Sequence, residues 1–527
     1  DWSSDVCSSD LQYRGKILWI DDEIDHLKPH ILALEEKGYD IRTATNGSDG
    51  IAFAEDEPFH LALIDQFMAG MDGMETLRRL KESCPALPVV MITKSEEEWL
   101  MDEAISEQVE QFLIKPVNPS QVFMACKQVL EKHKIQEEKA TSGYLQEFQD
   151  IESKLSSDPS FAGWWEIHNK LVKWQLNFDE HSDTGLGNIL ADQIQSANRA
   201  FIQFIENGYS NWVVGQNRPQ MVHDTIPIAV APKLNEGKKV CLLVLDCMRH
   251  DHFMTLMTEL RSLFDIVIDP SLALLPSATP YSRNAIFSGM FPNEFCKKYP
   301  EQVEAMQQEK GVNRFEEIFL SDQLSRLDLA NVKLHFKKIW KVSEGNNYQS
   351  HVGDYLDSDL MAIVVNFIDI LAHARSESEV LQEMVPDESG YRSSVKTWFK
   401  NSWLLKVLKT LKETGFTVVI TSDHGSIRVG KGVLVGADKE TSSGIRYKMG
   451  RNLNCNEKHA LIIRKPSDYG LPELVHQTNY LIAKDDVYFL YPNQQHRYEK
   501  KIKNSFQHGG ISMDEMLVPL ATLTPLT

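Results

Sequence analysis

Short apolar runs alternate with amphipathic stretches along the first quarter of the chain. Five runs have the length and composition of strands, at 16–20, 39–44, 60–65, 87–93 and 110–114. The stretches that follow them have helical spacing of apolar residues, over 24–37, 48–56, 73–83, 96–106 and 119–133. Five strand–helix units of this kind predict an α/β domain with a doubly wound parallel sheet over residues 12–134.

The pattern changes over 135–225, which contains no convincing strand and is rich in Gln, Glu, Ser and Trp. Four tryptophans in this segment are interpreted as helix-packing residues. We therefore predict a helical-bundle linker that joins two larger modules. Residues 1–11 are rich in Ser and Asp, unlike the strand pattern that follows, and are interpreted as a non-native or disordered tail.

Strand signals return in the C-terminal part, most clearly at 239–246, 361–369, 416–423 and 458–465. Helical stretches lie between these runs. Residues 226–527 are therefore predicted to form a large α/β domain.

Composition and charge narrow the range of functions. A chain of 527 residues exceeds the ~250–300 residues of one hydrophobic core, so several domains are expected. The formal net charge of −20 repels the phosphate backbone, so direct binding to duplex DNA is not expected. No apolar run approaches the ~18–20 residues that span a membrane. The seven cysteines form no CxxC pair, which is typical of reduced thiols in a cytoplasmic protein.

The first module places polar residues at the C-terminal ends of its predicted strands. These residues are Asp21, Asp22, Asp65, Thr93 and Lys115. Strand ends of an open α/β sheet converge on one crevice, and three carboxylates there would need a cation. Oxygen ligands at an open site suit Mg²⁺, and a carboxylate beside it can accept a phosphoryl group. Thr93 and Lys115 could hold the new phosphoryl oxygens.

This set resembles the two-component receiver domain, on the Asp21–Asp22 pair, the D-x-x-M-x-G-M-x-G run at 65–73 and the Lys115–Pro116 dipeptide. The resemblance implies that Asp65 is phosphorylated by a sensor histidine kinase. It also implies Mg²⁺ binding through Asp21, Asp22, Asp65 and the Phe67 carbonyl, switch residues Thr93, Phe112 and Lys115, and a cis Lys115–Pro116 bond. The family favours Pro at position 69, where this chain has Ala, and a degenerate receiver that serves only as a scaffold is the alternative.

A second constellation lies in the C-terminal module. Its members are Asp and His residues close to predicted strand ends, with one threonine: Asp246, Thr279, Asp369, His373, Asp423, His424 and His508. Each residue alone is weak evidence, since a lone His is more often a surface or core residue. Together they offer mixed oxygen and nitrogen ligands, which suit Zn²⁺ and, less tightly, Mn²⁺. Six such ligands and a hydroxyl match what two metals ~4 Å apart need to clamp a phosphoryl group.

The order Asp, Thr, D-x-x-x-H, S-D-H-G and late His resembles the alkaline-phosphatase superfamily, and most closely its PglZ branch. The resemblance implies one zinc held by Asp246, Thr279, Asp423 and His424, and a second zinc held by Asp369, His373 and His508. It implies Thr279 as the nucleophile, and Arg283 could stabilise phosphate oxygens. Thr279 also favours diesters over monoesters and argues against a sulfatase. The basic run with Arg446, Lys448 and Arg451 is either a phosphate- or nucleotide-binding patch or a solvated loop.

The three modules in this order resemble the PorX-type family of response regulators, which is linked to type IX secretion in Bacteroidetes. That resemblance implies a phosphorylation-dependent homodimer, a role with a sigma factor and a zinc-dependent phosphodiesterase acting on nucleotide or oligonucleotide diesters. The alternative is a non-catalytic interaction protein, whose metal-stabilised C-terminal domain binds a sigma factor or a secretion component.

Overall fold

The computed structural model describes residues 14–94, 109–180, 186–308, 314–436, 444–473, 477–491 and 501–526. The chain divides into two compact units. Unit 1 comprises residues 1–147 and 180–186, and unit 2 comprises residues 148–179 and 187–527.

Unit 1 is built on a five-stranded, fully parallel sheet with the order β2-β1-β3-β4-β5. Its strands are β1 (Gly15–Ile20), β2 (Tyr39–Ala44), β3 (Leu61–Asp65), β4 (Val89–Thr93) and β5 (Gln111–Ile114). A 3₁₀ turn (Ile24–Leu27) precedes its helices, which are α1 (Lys28–Glu35), α2 (Gly47–Asp56), α3 (Gly73–Ser83) and α4 (Pro119–Leu155). The predicted doubly wound parallel sheet is confirmed, and each of its five strands lies where the apolar runs indicated.

Alternation along β1 shows why both faces of this sheet are covered. Leu18 and Ile20 pack into one core, and Ile17 and Trp19 pack into another on the opposite face. Strands buried on both faces have the near-continuous apolar sequence seen here.

Two helix predictions in this unit have different outcomes. The helix predicted at 96–106 lies outside the described residues. The helix predicted at 119–133 runs on to Leu155, because no Pro interrupts residues 120–155, and Gly143 lies within the helix without ending it. Helix α4 therefore passes from unit 1 into unit 2.

Unit 2 contains thirteen described strands. They are β6 (Val240–Leu245), β7 (Phe264–Leu272), β8 (Leu334–Ile339), β9 (Leu360–Val365), β10 (Thr417–Thr421), β11 (Ile427–Arg428), β12 (Lys431–Leu434), β13 (Tyr447–Gly450), β14 (Ala460–Ile463), β15 (Asn479–Ala483), β16 (Val487–Leu490), β17 (Phe506–Gln507) and β18 (Leu517–Pro525). Six of them form a central sheet with the order β7-β18-β10-β6-β9-β8, in which β10, β6, β9 and β8 are parallel. The other strands form three small sheets.

Helices surround this sheet. They are α5 (Phe161–Glu180), α6 (Gly187–Val213), α7 (Ala231–Asn235), α8 (His250–Leu260), α9 (Thr279–Ser288), α10 (Pro292–Lys298), α11 (Pro300–Gln308), α12 (Glu316–Arg326), α13 (Val342–Ser350), α14 (Phe367–Arg375), α15 (Glu379–Met384), α16 (Glu388–Asn401), α17 (Trp403–Glu413) and α18 (Met513–Met516). Short 3₁₀ or π turns occupy Val222–Asp224, Ile226–Val230, Val352–Tyr355 and Pro466–Tyr469.

The strand predicted at 361–369 is shorter than the sequence suggested. Strand β9 ends at Val365, opposite the ends of its neighbours β6 and β8. The chain then turns at Asn366 and enters α14, so Asp369 lies in the first turn of a helix rather than in a strand.

Helices α5 and α6 come from the segment predicted as a linker, and they pack on the α/β domain within unit 2. The Tyr209 hydroxyl of α6 accepts a 2.9 Å hydrogen bond from the Leu275 amide, in the loop before α9. Trp165 of α5 packs against His250 with ring centroids 4.4 Å apart. The predicted segment 135–225 is thus divided between the two units.

Candidate active site

Three carboxylates meet at the C-terminal edge of the sheet in unit 1. Oxygens of Asp21, Asp22 and Asp65 lie within 4.8 Å of one another. Lys115 reaches the same point, with Nζ 3.0 Å from Asp21 Oδ2 and 3.0 Å from Asp65 Oδ2. The Lys115–Pro116 bond is cis, as the sequence predicted.

The environment of Asp65 distinguishes it from an ordinary surface carboxylate. It is 1 % exposed, and its Oδ1 has no hydrogen-bond partner among the described residues. Burial raises the pKa of Asp65, repulsion from Asp21 and Asp22 adds to this, and the Lys115 ammonium opposes it. Three carboxylates that meet at one buried position fit a divalent cation, because its positive charge would offset their mutual repulsion.

The other predicted receiver residues surround this cluster in different environments. Thr93 is buried at the end of β4, and Phe112 is half-buried in β5. Phe67 follows β3 and its side chain is 48 % exposed. The amide of Ala69 donates to Asp22 Oδ2 at 3.2 Å, which ties the loop after β3 to the acidic pair.

A second group of ligands lies at the C-terminal ends of β6 and β10 in unit 2. Asp246 directly follows β6, and Asp423 and His424 follow β10, so adjacent parallel strands bring them together. His424 Nε2 is 3.8 Å from Asp246 Oδ1 and 3.6 Å from Asp423 Oδ2. His424 Nδ1 lies 3.0 Å from the Gly425 carbonyl, which can only accept, so the proton belongs on Nδ1 and Nε2 presents its lone pair to the site.

Thr279 is the first residue of α9, and its hydroxyl points into this group. Oγ1 lies 3.0 Å from His424 Nε2 and 3.4 Å from Asp246 Oδ1. The following Pro280 occupies the first turn of the helix, where its missing N–H is not needed. The sequence thus fixes the start of α9 and places a hydroxyl beside the ligands.

A third group, Asp369, His373 and His508, lies next to the second. Asp369 and His373 are one turn apart on α14, with His373 Nε2 3.3 Å from Asp369 Oδ1. His508 comes from the loop after β17, and its Nε2 is 3.6 Å from the same oxygen. The rings of His508 and His424 are stacked with centroids 4.3 Å apart, so the two groups share one site.

Both groups in unit 2 fit metal ions. Within each, one ligand atom from every member lies within 4.8 Å of the others. The buried oxygens Asp369 Oδ1 and Asp423 Oδ2 have no hydrogen-bond partner among the described residues, which is costly unless a cation binds there. Carboxylate and imidazole together are a donor set for zinc-like metals, which would be held by Asp246, Asp423 and His424 on one side and by Asp369, His373 and His508 on the other.

Charges in the site are strongly coupled. Burial raises the pKa of Asp246 well above its usual range, although Arg283 lowers it. Burial lowers the pKa of His508 well below its usual range, and neighbouring His424 lowers it further. The Asp369 carboxylate, 3.3 Å from His373 Nε2, raises the pKa of His373. Such opposed shifts in one cleft are typical of functional sites.

Arg283, which we expect to stabilise phosphate oxygens, contacts two of the ligand carboxylates. It is 1 % exposed, its Nη2 donates to Asp246 Oδ2 at 2.9 Å, and its Nε is 3.6 Å from Asp423 Oδ2. Behind it, Glu316 Oε1 lies 3.9 Å from Nε, and Lys338 Nζ lies 2.7 Å from Glu316. Arg283 therefore holds the ligand carboxylates from behind.

Sequence reasoning missed two residues that position the ligands. Asn366 Nδ2 donates to Asp246 Oδ2 at 2.7 Å from the end of β9. Ser422 accepts the Met248 amide at 3.0 Å and donates to the Leu245 carbonyl at 2.8 Å, which joins the loops after β6 and β10. Both occupy the strand-end positions that yielded the ligands, and this placement is the signal that could have found them.

The basic run at 446–451 does not form a binding patch. Arg446 is fully buried and donates to both carboxylate oxygens of Glu515 at 2.8 Å. Lys448 is 3 % exposed, its Nζ lies 4.5 Å from the centre of the Tyr491 ring, and burial lowers its pKa to about 8. Arg451 is exposed. The interpretation as a patch is wrong for Arg446, since its charge is paired inside the core.

A chain of buried ion pairs connects α5 to the loop that carries Asp246. Arg392 donates to both oxygens of Asp179, at 2.6 and 2.8 Å, and to Asp251 Oδ2 at 3.1 Å. Asp251 in turn accepts from Arg249 Nε at 2.9 Å. Arg249 lies three residues after Asp246 and packs against Gly425, the residue after His424. A helix of the linker segment is thus linked to both loops of the site.

Comparison with protein families matches three parts of the chain. Residues 17–127 match the response regulator receiver domain, residues 134–213 match the PorX response regulator linker domain, and residues 227–523 match the BREX system PglZ alkaline phosphatase-like domain. The last match covers more than half of the chain. Receiver and alkaline phosphatase-like domains generally use divalent metals, in agreement with the three ligand groups.

Two similar curated proteins each match about a quarter of this chain. The transcriptional regulatory protein ResD of Bacillus subtilis is 32 % identical over 123 residues, which are 23 % of this chain and 51 % of ResD. ZraR of Salmonella typhimurium is 34 % identical over 121 residues, which are 23 % of this chain and 26 % of ZraR. The chain therefore spans about half or a quarter of the length of these relatives.

Among solved structures, a CheY-like receiver domain protein from Methanospirillum hungatei JF-1 is 28 % identical. The match covers 22 % of this chain and 94 % of the receiver protein, with a TM-score of 0.22. Within the described residues, no helix is long and apolar enough to cross a membrane.

Proposed function

Because the chain belongs to the PglZ alkaline phosphatase-like family and carries a response regulator receiver domain, we propose that it is a phosphorylation-controlled, zinc-dependent phosphodiesterase. Its domain order is that of PorX-type response regulators. A receiver domain implies a histidine kinase partner, and phosphorylation is assigned to Asp65.

One observation carries the catalytic proposal. The Thr279 hydroxyl lies 3.0 Å from His424 Nε2, at the junction of two ligand groups whose histidine rings stack. A metal site with a purely structural role does not need a hydroxyl group that points from a helix start toward the metal ligands. A nucleophile for phosphoryl transfer needs this position.

The chemistry follows from these residues. Bound metals would neutralise the phosphate charge and favour the ionised Thr279 hydroxyl. Thr279 Oγ1 attacks phosphorus, so that one P–O bond forms while the bond to the departing alcohol breaks. Water then attacks the phosphorus of the phosphothreonine. A P–O bond to water forms, the bond to Thr279 Oγ1 breaks, the phosphate monoester leaves, and a proton from the water restores the hydroxyl. Arg283 and Asn366 act as positioning residues, since both hold Asp246 Oδ2.

We propose diesters of nucleotides or oligonucleotides as substrates, since a Thr nucleophile resembles that of the nucleotide pyrophosphatases and phosphodiesterases of the alkaline-phosphatase superfamily. In the same proposal, phosphorylation of Asp65 promotes a homodimer and thereby adjusts hydrolysis. The biological output would be regulation of type IX secretion together with a sigma factor. Two complete constellations in one chain support this coupling of a phosphoryl switch to an output.

The test is hydrolysis of bis-(4-nitrophenyl) phosphate by the zinc-loaded full-length protein and its Thr279→Ala variant. We expect turnover by the wild type and a loss of about 10³-fold or more in the variant, as for removal of a covalent nucleophile. Thr414→Ala, at an exposed helix end, is the matched control and should retain full activity.

An equal rate in wild type and Thr279→Ala, or no hydrolysis by either, would refute catalysis at this site. The second candidate would then be favoured, a metal-stabilised domain that binds a sigma factor or secretion component. The zinc content of the wild type and of Thr279→Ala should be equal, because a metal-stabilised binding domain needs its metals but not the hydroxyl. A loss of activity at equal zinc content then reports catalysis by Thr279 rather than loss of metal.

A further inference from the structure

A cavity of about 320 Å³ lies between the linker helices and the α/β domain of unit 2. Helices α5 and α6 line one side. The other side comes from the first residue of α16, from β11, from the turn after β15 and from α18. None of the candidate metal ligands lines this cavity.

Four carboxylates line the cavity in two pairs. Glu388 and Asp514 form one pair beside Arg249, which donates to Glu388 and whose Nη2 lies 3.9 Å from Asp514 Oδ2. Asp485 and Asp486 form the other, in the turn after β15. Burial raises the pKa of Glu388 and of Asp514, and Arg249 opposes both shifts. Repulsion from Asp514 raises the pKa of Glu388 further, and repulsion from Asp251 raises that of Asp514 further. Arg428 of β11 also lines the cavity and Arg249 pairs with Glu388, so the four carboxylates outnumber the two arginines.

Asn198 stands between the two acidic pairs. Its Nδ2 donates to Asp485 Oδ1 at 2.6 Å, and its Oδ1 accepts from the Met513 amide at 2.9 Å, next to Asp514. Apolar side chains of Leu171, Ile194 and Ile427 complete the wall. The cavity thus has two acidic regions and apolar surface.

His168 provides independent evidence that a ligand binds here. It is 2 % exposed and lines the cavity, yet its Nε2 has no hydrogen-bond partner among the described residues. The nearest carboxylate oxygen, Asp514 Oδ1, is 4.0 Å away, which is too far for a hydrogen bond. A buried ring nitrogen without a partner destabilises the folded protein, and a ligand that bonds to it would remove that cost.

The chemistry of these groups indicates the class of ligand. Among the described residues, the cavity contains no set of three carboxylate or His ligand atoms within 4.8 Å of one another, so a single metal ion would lack ligands. An organic cation with two separated charges matches two acidic pairs with apolar surface. The cavity of about 320 Å³ has the volume of about ten water molecules at about 30 Å³ each, which is enough for a linear diamine of five carbons.

We propose that this cavity binds a linear aliphatic diamine. One ammonium group donates to Asp514, Glu388 and His168 Nε2, and the other donates to Asp485 and Asp486. The methylene chain lies against Leu171 and Ile194. Because α5 and α6 line one wall and the α/β domain lines the other, the bound diamine would also strengthen the packing of the linker helices on this domain.

The test is calorimetric titration of the full-length protein with cadaverine, and with pentylamine as the singly charged ligand of matched length. We expect saturable binding of one cadaverine per chain and at least tenfold weaker binding of pentylamine. Asp514→Asn should weaken cadaverine binding at least tenfold. Asp265→Asn, a change at an exposed position on β7, should leave it unchanged.

Asp485→Asn is a second variant in case Asp514→Asn does not fold. Asp485 has a φ of 54°, which Asn tolerates, and it should also weaken binding at least tenfold. The proposal fails if cadaverine does not saturate the protein at about 10 mM, where even a millimolar site would be filled. It also fails if pentylamine binds equally well or if the folded variants bind like the wild type.

Discussion

Arg283 Nη2 lies 2.9 Å from Asp246 Oδ2, and both side chains are 1 % exposed. The guanidinium therefore compensates the charge of the ligand carboxylates from the side of the core. In this position it serves the same electrostatic need as a bound metal, since each stabilises buried carboxylates that otherwise repel one another.

This relationship predicts that Arg283→Met destabilises the metal-free protein more than the zinc-loaded protein. Removing one partner of a buried ion pair typically costs about 3–5 kcal/mol, and we expect a loss of that order without metal. Pulsed hydrogen exchange on peptides of β6 during urea unfolding would isolate unit 2 from unit 1. Equal losses with and without zinc would contradict the prediction.

Metal content should report the two ligand groups separately. His373→Ala should lower the zinc bound per chain from about two to about one, because it removes a ligand of the Asp369 group only. Asp423→Asn should cause a similar loss in the other group. Elemental analysis after dialysis measures this, with the exposed His351→Ala as the control. A content of two in both ligand variants would show that the groups do not hold separate metals.

Phosphoryl transfer to the receiver should depend on Asp65 and on Lys115. Acetyl phosphate should add one phosphoryl group to the wild type by intact mass, none to Asp65→Asn and much less to Lys115→Ala, whose ammonium lies 3.0 Å from Asp65 Oδ2. Asp49→Asn, at an exposed position, is the control. Light scattering of the same samples tests the proposed dimer, which should form in the wild type and be absent in Asp65→Asn.

Local patterns predicted much of the fold and many of the residues that meet in the site. Asp246 and Asp423 could be found because each follows a buried apolar run, and parallel neighbours bring such ends together. The position of Asp369 in a helix could not be predicted in this way, because the end of β9 depends on where its neighbours β6 and β8 end. Arg446 was misread because its partner Glu515 lies 69 residues away, and a basic run has the same sequence whether buried or exposed.

The packing of α5 also depends on partners distant in sequence. Asp179 pairs with Arg392 across 213 residues, and no pattern in 135–225 indicates that contact. Helical periodicity predicts that a helix has an apolar face, but not which domain covers it. Contacts of this kind require the structure.

The series of ion pairs that runs from Asp179 through Arg392 and Asp251 to Arg249 predicts an effect of the linker on the metal site. Asp179→Asn should leave buried Arg392 undercompensated and destabilise unit 2 by about 1–3 kcal/mol. We also expect weaker zinc binding, because Arg249 packs against the loops that carry Asp246 and His424. A competition titration with a zinc chelator measures this, with the exposed Asp192→Asn as the control. Unchanged zinc affinity in a destabilised variant would show that the pairs serve stability alone.

Buried histidines of α5 and α8 predict loss of stability in acid. Burial lowers the pKa of His168 to about 4 and that of His250 and of His252 to about 3. An unfolded histidine has a pKa of about 6.5, so the unfolded chain binds more protons as the pH falls below that value. Stability from these histidines is therefore complete above pH about 6.5 and is lost as the pH falls toward their folded pKa values.

His252→Phe tests this directly, since its Nε2 has no hydrogen-bond partner among the described residues and its ring packs edge-on against Tyr391. Between pH 7.5 and pH 5, each of these histidines should lower the free energy of unfolding by about 2 kcal/mol. The variant lacks one of them and should therefore lose about 2 kcal/mol less than the wild type. Glu388 and Asp514, with raised pKa values, act in the opposite direction in both proteins, so the difference between the proteins reports the histidine. Urea unfolding at pH 7.5, 6 and 5, followed by pulsed exchange at β6, measures that difference, with the exposed His351→Asn as the control. Parallel pH profiles for wild type and His252→Phe would mean that His252 does not remain neutral in the folded protein.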